Sequence, residues 1–317
     1  MLQQTQVATV IPYYSHFLRA FPTLKQLAHA PLERVLELWS GLGYYRRARN
    51  LHAAARVVAR KFKGRFPADY RQARSLPGVG DYTARAILSI AFEQPFAVLD
   101  GNVARVVARL KAIKGNINQP LFRLAVEQEL QRLLSRRKPG NFNQALMELG
   151  QTVCLPRAPR CPVCPIQTWC AGYHLKEPEA YPAPRPRRPA EIHYLAAAII
   201  RRKSRVALIR GLDGGLLSDL WNFPAAFGRT RAEALVNLRE KLSGITGCFA
   251  GHVEISPPLA EIRHTITHRS IRVQVHPVVI HGNVSSNSIK WFPGSRLGRS
   301  AISQLARKIS ASLSADV

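Results

Sequence analysis

Three groups of residues in this chain are spaced so that they could do chemistry. Gly78 and Gly80 follow Pro77 in the turn Pro77-Gly78-Val79-Gly80, and the next stretch, Asp81 to Phe92, carries apolar residues at helical spacing. Glycine allows the positive-φ backbone of a tight turn, and a hairpin that opens into a helix aims several N–H groups at one spot. Such a nest binds an anion, with a phosphate as the natural candidate. Asp100 lies in Leu99-Asp100-Gly101-Asn102, a polar break between an extended apolar run and a second helical stretch, Val103 to Leu110. An Asp at that place caps the helix behind it, so a carboxylate is held beside the phosphate clamp. Cys154, Cys161, Cys164 and Cys170 form the third group, in the pattern C-x6-C-x2-C-x5-C, with Pro156, Pro159, Pro162 and Pro165 keeping the loop from becoming helical. Four thiolates so close in sequence can wrap one metal centre, and zinc or an iron–sulfur cluster both satisfy the spacing. Cys248 stands apart and reads as a small buried apolar residue.

The elements that must position these groups are helices as far as Cys170. Met1 to Val7 reads as the middle of a helix, a second helical segment follows Pro12 to about Phe21, and Pro31 begins another that runs to Trp39. After the turn Ser40-Gly41-Leu42-Gly43 comes a long Ala- and Arg-rich helix, Tyr44 to Phe62. Leu121 to Leu134 and Phe142 to Val153 complete the set. Pro178, Pro182, Pro184, Pro186 and Pro189, interleaved with Arg185, Arg187 and Arg188, then read as a stiff basic linker that forms neither helix nor sheet. Beyond it the period changes to that of strands: His193 to Arg201, Arg205 to Arg210, Leu220 to Phe227, His252 to Ile255, Leu259 to Ile266 and Ile271 to Ile280. Helices are expected at Arg231 to Leu242 and Arg299 to Leu313. The expected fold is two-domain: an all-α domain over 1–174 with the cysteine loop at 153–171, a linker at 175–191, and an α+β domain over 192–317.

Composition narrows the partners. The 317 residues include 46 Lys and Arg against 19 Asp and Glu, a formal charge of +27, which is far beyond what solubility needs. Nucleic acid is the default polyanionic partner of such a chain, and an acidic membrane surface is the alternative. No apolar run approaches the roughly 18 residues of a membrane span, and the N-terminus lacks a signal-peptide pattern. A cytoplasmic, nucleoid-associated monomer is expected, with cysteines that serve a metal in a reducing compartment rather than a disulfide framework.

MLQQTQV, LWSGLGYYRRARNL, LPGVGDYTARAIL, LDGNVARV, FNQALMELG and the cysteine loop together resemble the helix-hairpin-helix DNA glycosylase superfamily, and within it the adenine DNA glycosylases of the MutY type. The second half resembles their Nudix-like domain through Gly215-Leu216-Leu217, Leu220 to Pro224 and His264 to His268. The resemblance implies excision of adenine mispaired with 8-oxoguanine or guanine in double-stranded DNA, after the base is flipped out of the stack. It implies that Asp100 stabilises the sugar cation left by the departing base, with Tyr82 assisting and Asn102 fixing the carboxylate. Gln4 and Tyr44 would wedge into the duplex, Thr5 and Leu42 would add backbone contacts, and Pro77, Gly78, Val79 and Gly80 would anchor a phosphate. Gln144 would line the adenine pocket. Thr267 and His268 lie where the family's loop reads the oxidised base, Ile266 standing for the commoner Phe and Thr267 for the commoner Ser. The cysteines would hold one 4Fe-4S cluster of structural and electrostatic role, presenting Arg157 and Arg160 to DNA. Arg239 to Gly244 lacks the paired acids of Nudix hydrolases, so pyrophosphatase activity is not expected.

Two departures matter. The endonuclease III branch has a Schiff-base lysine where this chain has Tyr82, which argues against a lyase of that kind. The family's general-acid glutamate lies just upstream of the MLQQTQV segment and would precede Met1. Such an acid is worth roughly 10²–10⁴-fold, so this chain is expected to bind DNA yet cleave poorly, with a late start codon or a truncated gene model as the cause. A non-catalytic lesion-binding protein and an endonuclease III-like glycosylase/lyase are the competing readings.

Overall fold

The computed structural model describes residues 1–3, 5–184, 191–212, 220–246, 252–266, 269–281 and 288–313. In chain order the helices are α1 (Val7–Ala20), α2 (Leu24–His29), α3 (Leu32–Trp39), α4 (Arg46–Lys61), α5 (Tyr70–Arg74), α6 (Asp81–Phe92), α7 (Gly101–Leu110), α8 (Pro120–Leu133), α9 (Pro139–Thr152) and α10 (Ala171–His174). There follow β1 (Glu191–Arg202), β2 (Arg205–Arg210), β3 (Trp221–Asn222), β4 (Ala225–Gly228), α11 (Arg231–Thr246), β5 (Val253–Ile255), β6 (Ala260–Ile266), β7 (Arg269–Ile280), β8 (Ile289–Pro293) and α12 (Gln304–Leu313). By contact these form two compact units, Ala54–Arg187 and Met1–Ala53 together with Arg188–Val317.

The unit Ala54–Arg187 is helical. Val103, Val106 and Val107 of α7 are buried against Phe122, Val126 and Leu130 of α8 and Leu146 of α9. Helix α9 lies directly on its neighbours because two of its turns carry no side chain. A Cβ on Gly140 would come within 2.6 Å of the Ser89 carbonyl oxygen on α6, and one on Gly150 within 2.7 Å of the Asn102 Cβ on α7. Only glycine permits backbones that close.

In the other unit an eight-stranded sheet has the order β3-β2-β1-β7-β5, with β4 beside β1, β6 beside β7 and β8 beside β2. Strands β1 and β7 are parallel and the other pairs antiparallel, so the sheet is mixed. Alternation along β1 sorts its residues between two cores. Leu195, Ala197 and Ile199 pack with Leu305, Ala306 and Ile309 of α12. Ala196, Ala198 and Ile200 pack with Ala234, Leu238 and Leu242 of α11. A strand covered on both faces reads as a continuous apolar run. The same unit holds α1 to α3, where Phe17 and Trp39 meet edge-on at 6.0 Å between ring centroids. Glu33 of α3 reaches the strands, accepting from Trp221 Nε1 at 3.4 Å with Lys290 Nζ at 3.7 Å. Arg307 of α12 donates to Ser40 Oγ at 2.6 Å.

The sequence reading requires correction in places. Residues 1–3, 5 and 6 are not helical, and α1 begins at Val7 and continues through Pro12. Proline removes one intrahelical donor, and burial of Val10 before it and Phe17 after it holds the two halves to one core. The expected strand Leu220 to Phe227 is two strands, β3 and β4, separated at Phe223-Pro224, since proline gives no donor to a ladder. Strand β8 and the short helices α2 and α5 were not anticipated. The segment from Pro178 is not open linker at its start: Pro178–Ala180 forms a 3-10 turn and Tyr181 is buried in the helical core. Residues 185–190 lie outside the described residues. Among the described residues no helix is long and apolar enough to cross a membrane.

Candidate functional site

Asp100 sits at the N-cap of α7 in extended backbone, and its Oδ1 accepts the Val103 N–H at 2.7 Å. That bond points the carboxylate along the start of the helix, where the backbone dipoles favour negative charge. The segment leading to it is held from behind by Asn143 of α9, which is fully buried. Asn143 Nδ2 donates to the Phe96 carbonyl at 2.8 Å and to Ser89 Oγ at 2.9 Å, and its Oδ1 accepts from Val98 N at 3.2 Å. One side chain thus ties α9, α6 and the approach to Asp100 together.

Tyr82, in the first turn of α6, is half-buried, and burial followed by the nearby Asp100 carboxylate pushes its phenol above the usual tyrosine value. It therefore stays a neutral donor at physiological pH. Its hydroxyl is directed at Met147 Sδ, 3.5 Å away, rather than at the carboxylate. The Asn102 Oδ1 accepts from Arg105 Nη2 at 2.9 Å, and it is the Val103 amide that orients Asp100. Gln144, next to Asn143 on α9, is exposed and its Nε2 bends back to the Gly140 carbonyl at 3.3 Å.

In the hairpin Pro77 to Gly80, only Gly78 is left-handed, at φ +75°, while Gly80 is extended. The turn closes through Val79 N to Leu76 O at 3.1 Å. Gly80 caps α6 without a side chain of its own. Asp81 is turned aside, taking bonds from the Tyr70 hydroxyl and from Arg85 Nε at 3.0 Å. Burial pushes its carboxyl up, but those two donors outweigh it and hold the group below the ordinary value of 3.8.

The residues read near the N-terminus gather in the other unit around a side chain the sequence reading passed over. Arg47 of α4 donates to the Met1 carbonyl at 2.8 Å, to Thr5 Oγ1 at 2.9 Å, to the Gly43 carbonyl at 3.4 Å and to the Gln3 carbonyl. Its guanidinium lies 5.2 Å from the Tyr44 ring centroid. Tyr44 is 54% exposed and left-handed at φ +50°, whereas Leu42 and Tyr45 beside it are buried. A bulky residue in that backbone region is costly and persists where its surroundings fix it. Arg47 was legible only as one of a run of arginines in LWSGLGYYRRARNL. Gln4, Thr267 and His268 lie outside the described residues, as does Cys248.

The cysteine loop is bound to α7 by two arginines. Arg105 Nε donates to the Cys154 carbonyl at 2.8 Å and its Nη2 to the Gly150 carbonyl at 2.7 Å. Arg109, only 3% exposed, donates to the carbonyls of Leu155, Pro156 and Tyr181 at 2.7, 3.0 and 3.0 Å, and to Cys154 Sγ at 3.4 Å. All four cysteines are half-buried and unpaired by disulfides. Burial, then the other three thiols, raises the Cys161 thiol; burial also raises Cys170, with Cys154 and Cys164 adding to it. By chemical type the four thiols suit one thiolate-bound centre. Among the described residues, however, no three His, Cys, Asp or Glu side chains stand at metal-holding distance.

The chain matches two family models, the HhH-GPD superfamily of base excision DNA repair proteins over residues 1–136 and the NUDIX domain over 195–312. An adenine DNA glycosylase of Rattus norvegicus is 32% identical over 98% of this chain and 69% of its own length. One of Schizosaccharomyces pombe is 46% identical over 55% of this chain and 38% of its own length. A solved thermostable thymine-DNA glycosylase covers 55% of this chain and 80% of its own at 26% identity and a TM-score of 0.49. With the relatedness to the rat protein extending across both units, the chain belongs to the adenine DNA glycosylase family, a helix-hairpin-helix glycosylase domain joined to a Nudix-like domain.

Proposed function

We propose that this protein binds double-stranded DNA and hydrolyses the N-glycosidic bond of adenine mispaired with 8-oxoguanine or guanine. The single observation that carries the reading is Asp100 at the N-cap of α7, its carboxylate fixed by the Val103 amide with the neutral phenol of Tyr82 nearby. Loss of the base leaves a sugar cation, and a pre-oriented carboxylate stabilises that charge without having to reorganise. The hairpin Pro77 to Gly80 takes a phosphate of the same strand. Gln144 faces the flipped adenine, its Nε2 exchanging the Gly140 carbonyl for the base. Tyr44, held by Arg47, enters the stack beside the oxidised guanine, with Gln4, Thr5 and Leu42 alongside, while Thr267 and His268 read that base. Cys154, Cys161, Cys164 and Cys170 hold one 4Fe-4S cluster, which, when bound, supplies structural bracing and negative charge rather than redox chemistry for the excision. Arg105 and Arg109 keep the loop's carbonyls in place around it.

The reaction is monofunctional on this reading, because Tyr82 carries no amine to form a Schiff base. Single-turnover adenine release from an A:8-oxoguanine duplex is the test. Asp100→Asn is expected to abolish excision while duplex affinity stays within about twofold. Borohydride is expected to trap no covalent adduct. Excision by Asp100→Asn at the parental rate would remove the basis of the proposal.

A further inference from the structure

The tip joining β1 to β2 carries four exposed cations that no step of excision uses: Arg201, Arg202, Lys203 and Arg205. The register sets Arg202 directly opposite Arg205, a cross-strand pair of like charges that weakens the sheet. Lys203 takes the left-handed turn position at φ +53°, where glycine or asparagine is at ease and lysine is not. The Ser204 carbonyl accepts from Gly294 N at 3.0 Å, which fixes the turn Gly294–Arg299 and its exposed Arg296 at the same end. Neither segment dilutes the charge, since no Asp or Glu occurs from Leu195 to Leu212 or from Ser288 to Ser312. Across the sheet at this end, Glu254 of β5 has His281 Nε2 within 3.4 Å.

The cluster is remote from the end that carries Ile266 and Arg269. The parallel pairs of β1 and β7 run from Glu191 opposite Arg269 to Ile200 opposite Val278, a span of about 30 Å at 3.3 Å per residue. Repulsion with no compensating acid among the described residues is a standing cost to the fold, and a polyanion removes it. The tip, Arg-Arg-Lys-Ser-Arg, has no apolar residue to enter a lipid surface, and three guanidiniums suit the paired oxygens of phosphodiesters.

We propose that the β1–β2 tip is a second contact for the backbone of duplex DNA, separate from the hairpin Pro77 to Gly80 and from the sheet end that carries Ile266. It rests on duplex DNA being this protein's substrate. A contact about 30 Å from that end lies about nine base pairs along a B-form duplex running parallel to the strands, at 3.4 Å per step. The tip then grips flanking DNA and lengthens the footprint without reading sequence.

The test uses the full chain and its Arg201→Gln, Arg202→Gln, Lys203→Gln, Arg205→Gln combination, with duplexes of about 12 and about 40 base pairs carrying a central A:8-oxoguanine. The short duplex ends about 20 Å from the lesion and cannot reach the tip; the long one can. The variant is expected to bind the long duplex at least tenfold more weakly near 0.1 M salt, with the logarithmic salt slope reduced by about two to four. On the short duplex its affinity and its single-turnover rate are expected to stay within twofold. Equal affinity and slope on the long duplex, or a loss seen only with RNA or anionic vesicles, overturns the proposal. Arg202→Glu is the second variant: it faces Arg205 with an opposite charge, so it is expected to melt no lower than the parent while still weakening long-duplex binding. Parental binding by this variant also overturns the proposal. If the parent itself bound neither duplex, the substrate reading would fail, which is a different result from a parent that binds and variants that bind equally.

Discussion

Asn143 is fully buried and braces the segment that leads to Asp100. Its amide meets three partners in a fully buried place; if the side chain became apolar, the Val98 N–H and the Phe96 carbonyl would lose that bond, while Ser89 Oγ would keep its own bond to the Ala86 carbonyl. Leaving buried donors and acceptors unmade costs about 1–3 kcal/mol, which is more than the net worth of the bonds themselves. Asn143→Leu is therefore expected to lower stability by about 2–3 kcal/mol in urea unfolding and to slow excision, because Val98 and Phe96 lead directly to Asp100. A loss under about 0.5 kcal/mol would mean that the segment is held by other contacts. In the sequence this residue is half of an Asn-Gln pair, and the family resemblance assigns only Gln144 a role. Burial of its neighbour could not be told from the one-dimensional pattern, since Asn is usually exposed. Arg47 was hidden for the opposite reason: an arginine among arginines gives no sign of which one folds back onto Met1, Thr5 and Gly43.

At the scale of elements, two glycines in two helices make a matched comparison. Alanine in place of glycine improves intrinsic helix propensity by about 1 kcal/mol. Gly244 of α11 has nothing within 4 Å of an added Cβ, so Gly244→Ala is expected to raise stability by about 0.5–1 kcal/mol. At Gly150 the same methyl would lie 2.7 Å from the Asn102 Cβ and 3.1 Å from the Asn102 carbonyl oxygen. Overpacking of that kind costs about 1–3 kcal/mol and exceeds the propensity gain, so Gly150→Ala is expected to destabilise and, by shifting α7 against α9, to slow excision. Thermal melts of both variants check the pair; stabilisation at Gly150 would show that α9 has room to move. Helices α6 and α7 were legible because the Pro-Gly-Val-Gly turn and the Leu-Asp-Gly-Asn break mark their starts. Helix α1 was misread at Pro12 because the local rule against proline was overridden by burial on both sides of it.

For the whole molecule, the cysteine loop and the charge are the two global facts. If the loop holds a 4Fe-4S cluster, protein isolated without metal supplements is expected to be brown, with broad visible absorption and about four irons per chain. Stripping the iron is expected to loosen the loop that Arg109 holds, which proteolysis between Cys154 and Cys170 would report. A colourless protein with one zinc per chain would reject the cluster in favour of the alternative that the spacing left open.

By itself the sequence determined the classes of structure and the chemistry available: helices before the cysteine loop, strands after the basic proline stretch, a carboxylate at a helix start, four thiols in one loop and a large positive charge. These follow from local spacing and composition, which act over a few residues. Only the tertiary structure decided that Met1–Ala53 packs with the sheet, that Asn102 bonds to Arg105 rather than serving Asp100, that Asn143 braces the approach to the carboxylate, and that Arg202 faces Arg205 across a strand pair. Each of these is set by burial or register between residues distant along the chain or on separate elements, where the free energy of removing a group from water depends on which partner arrives with it.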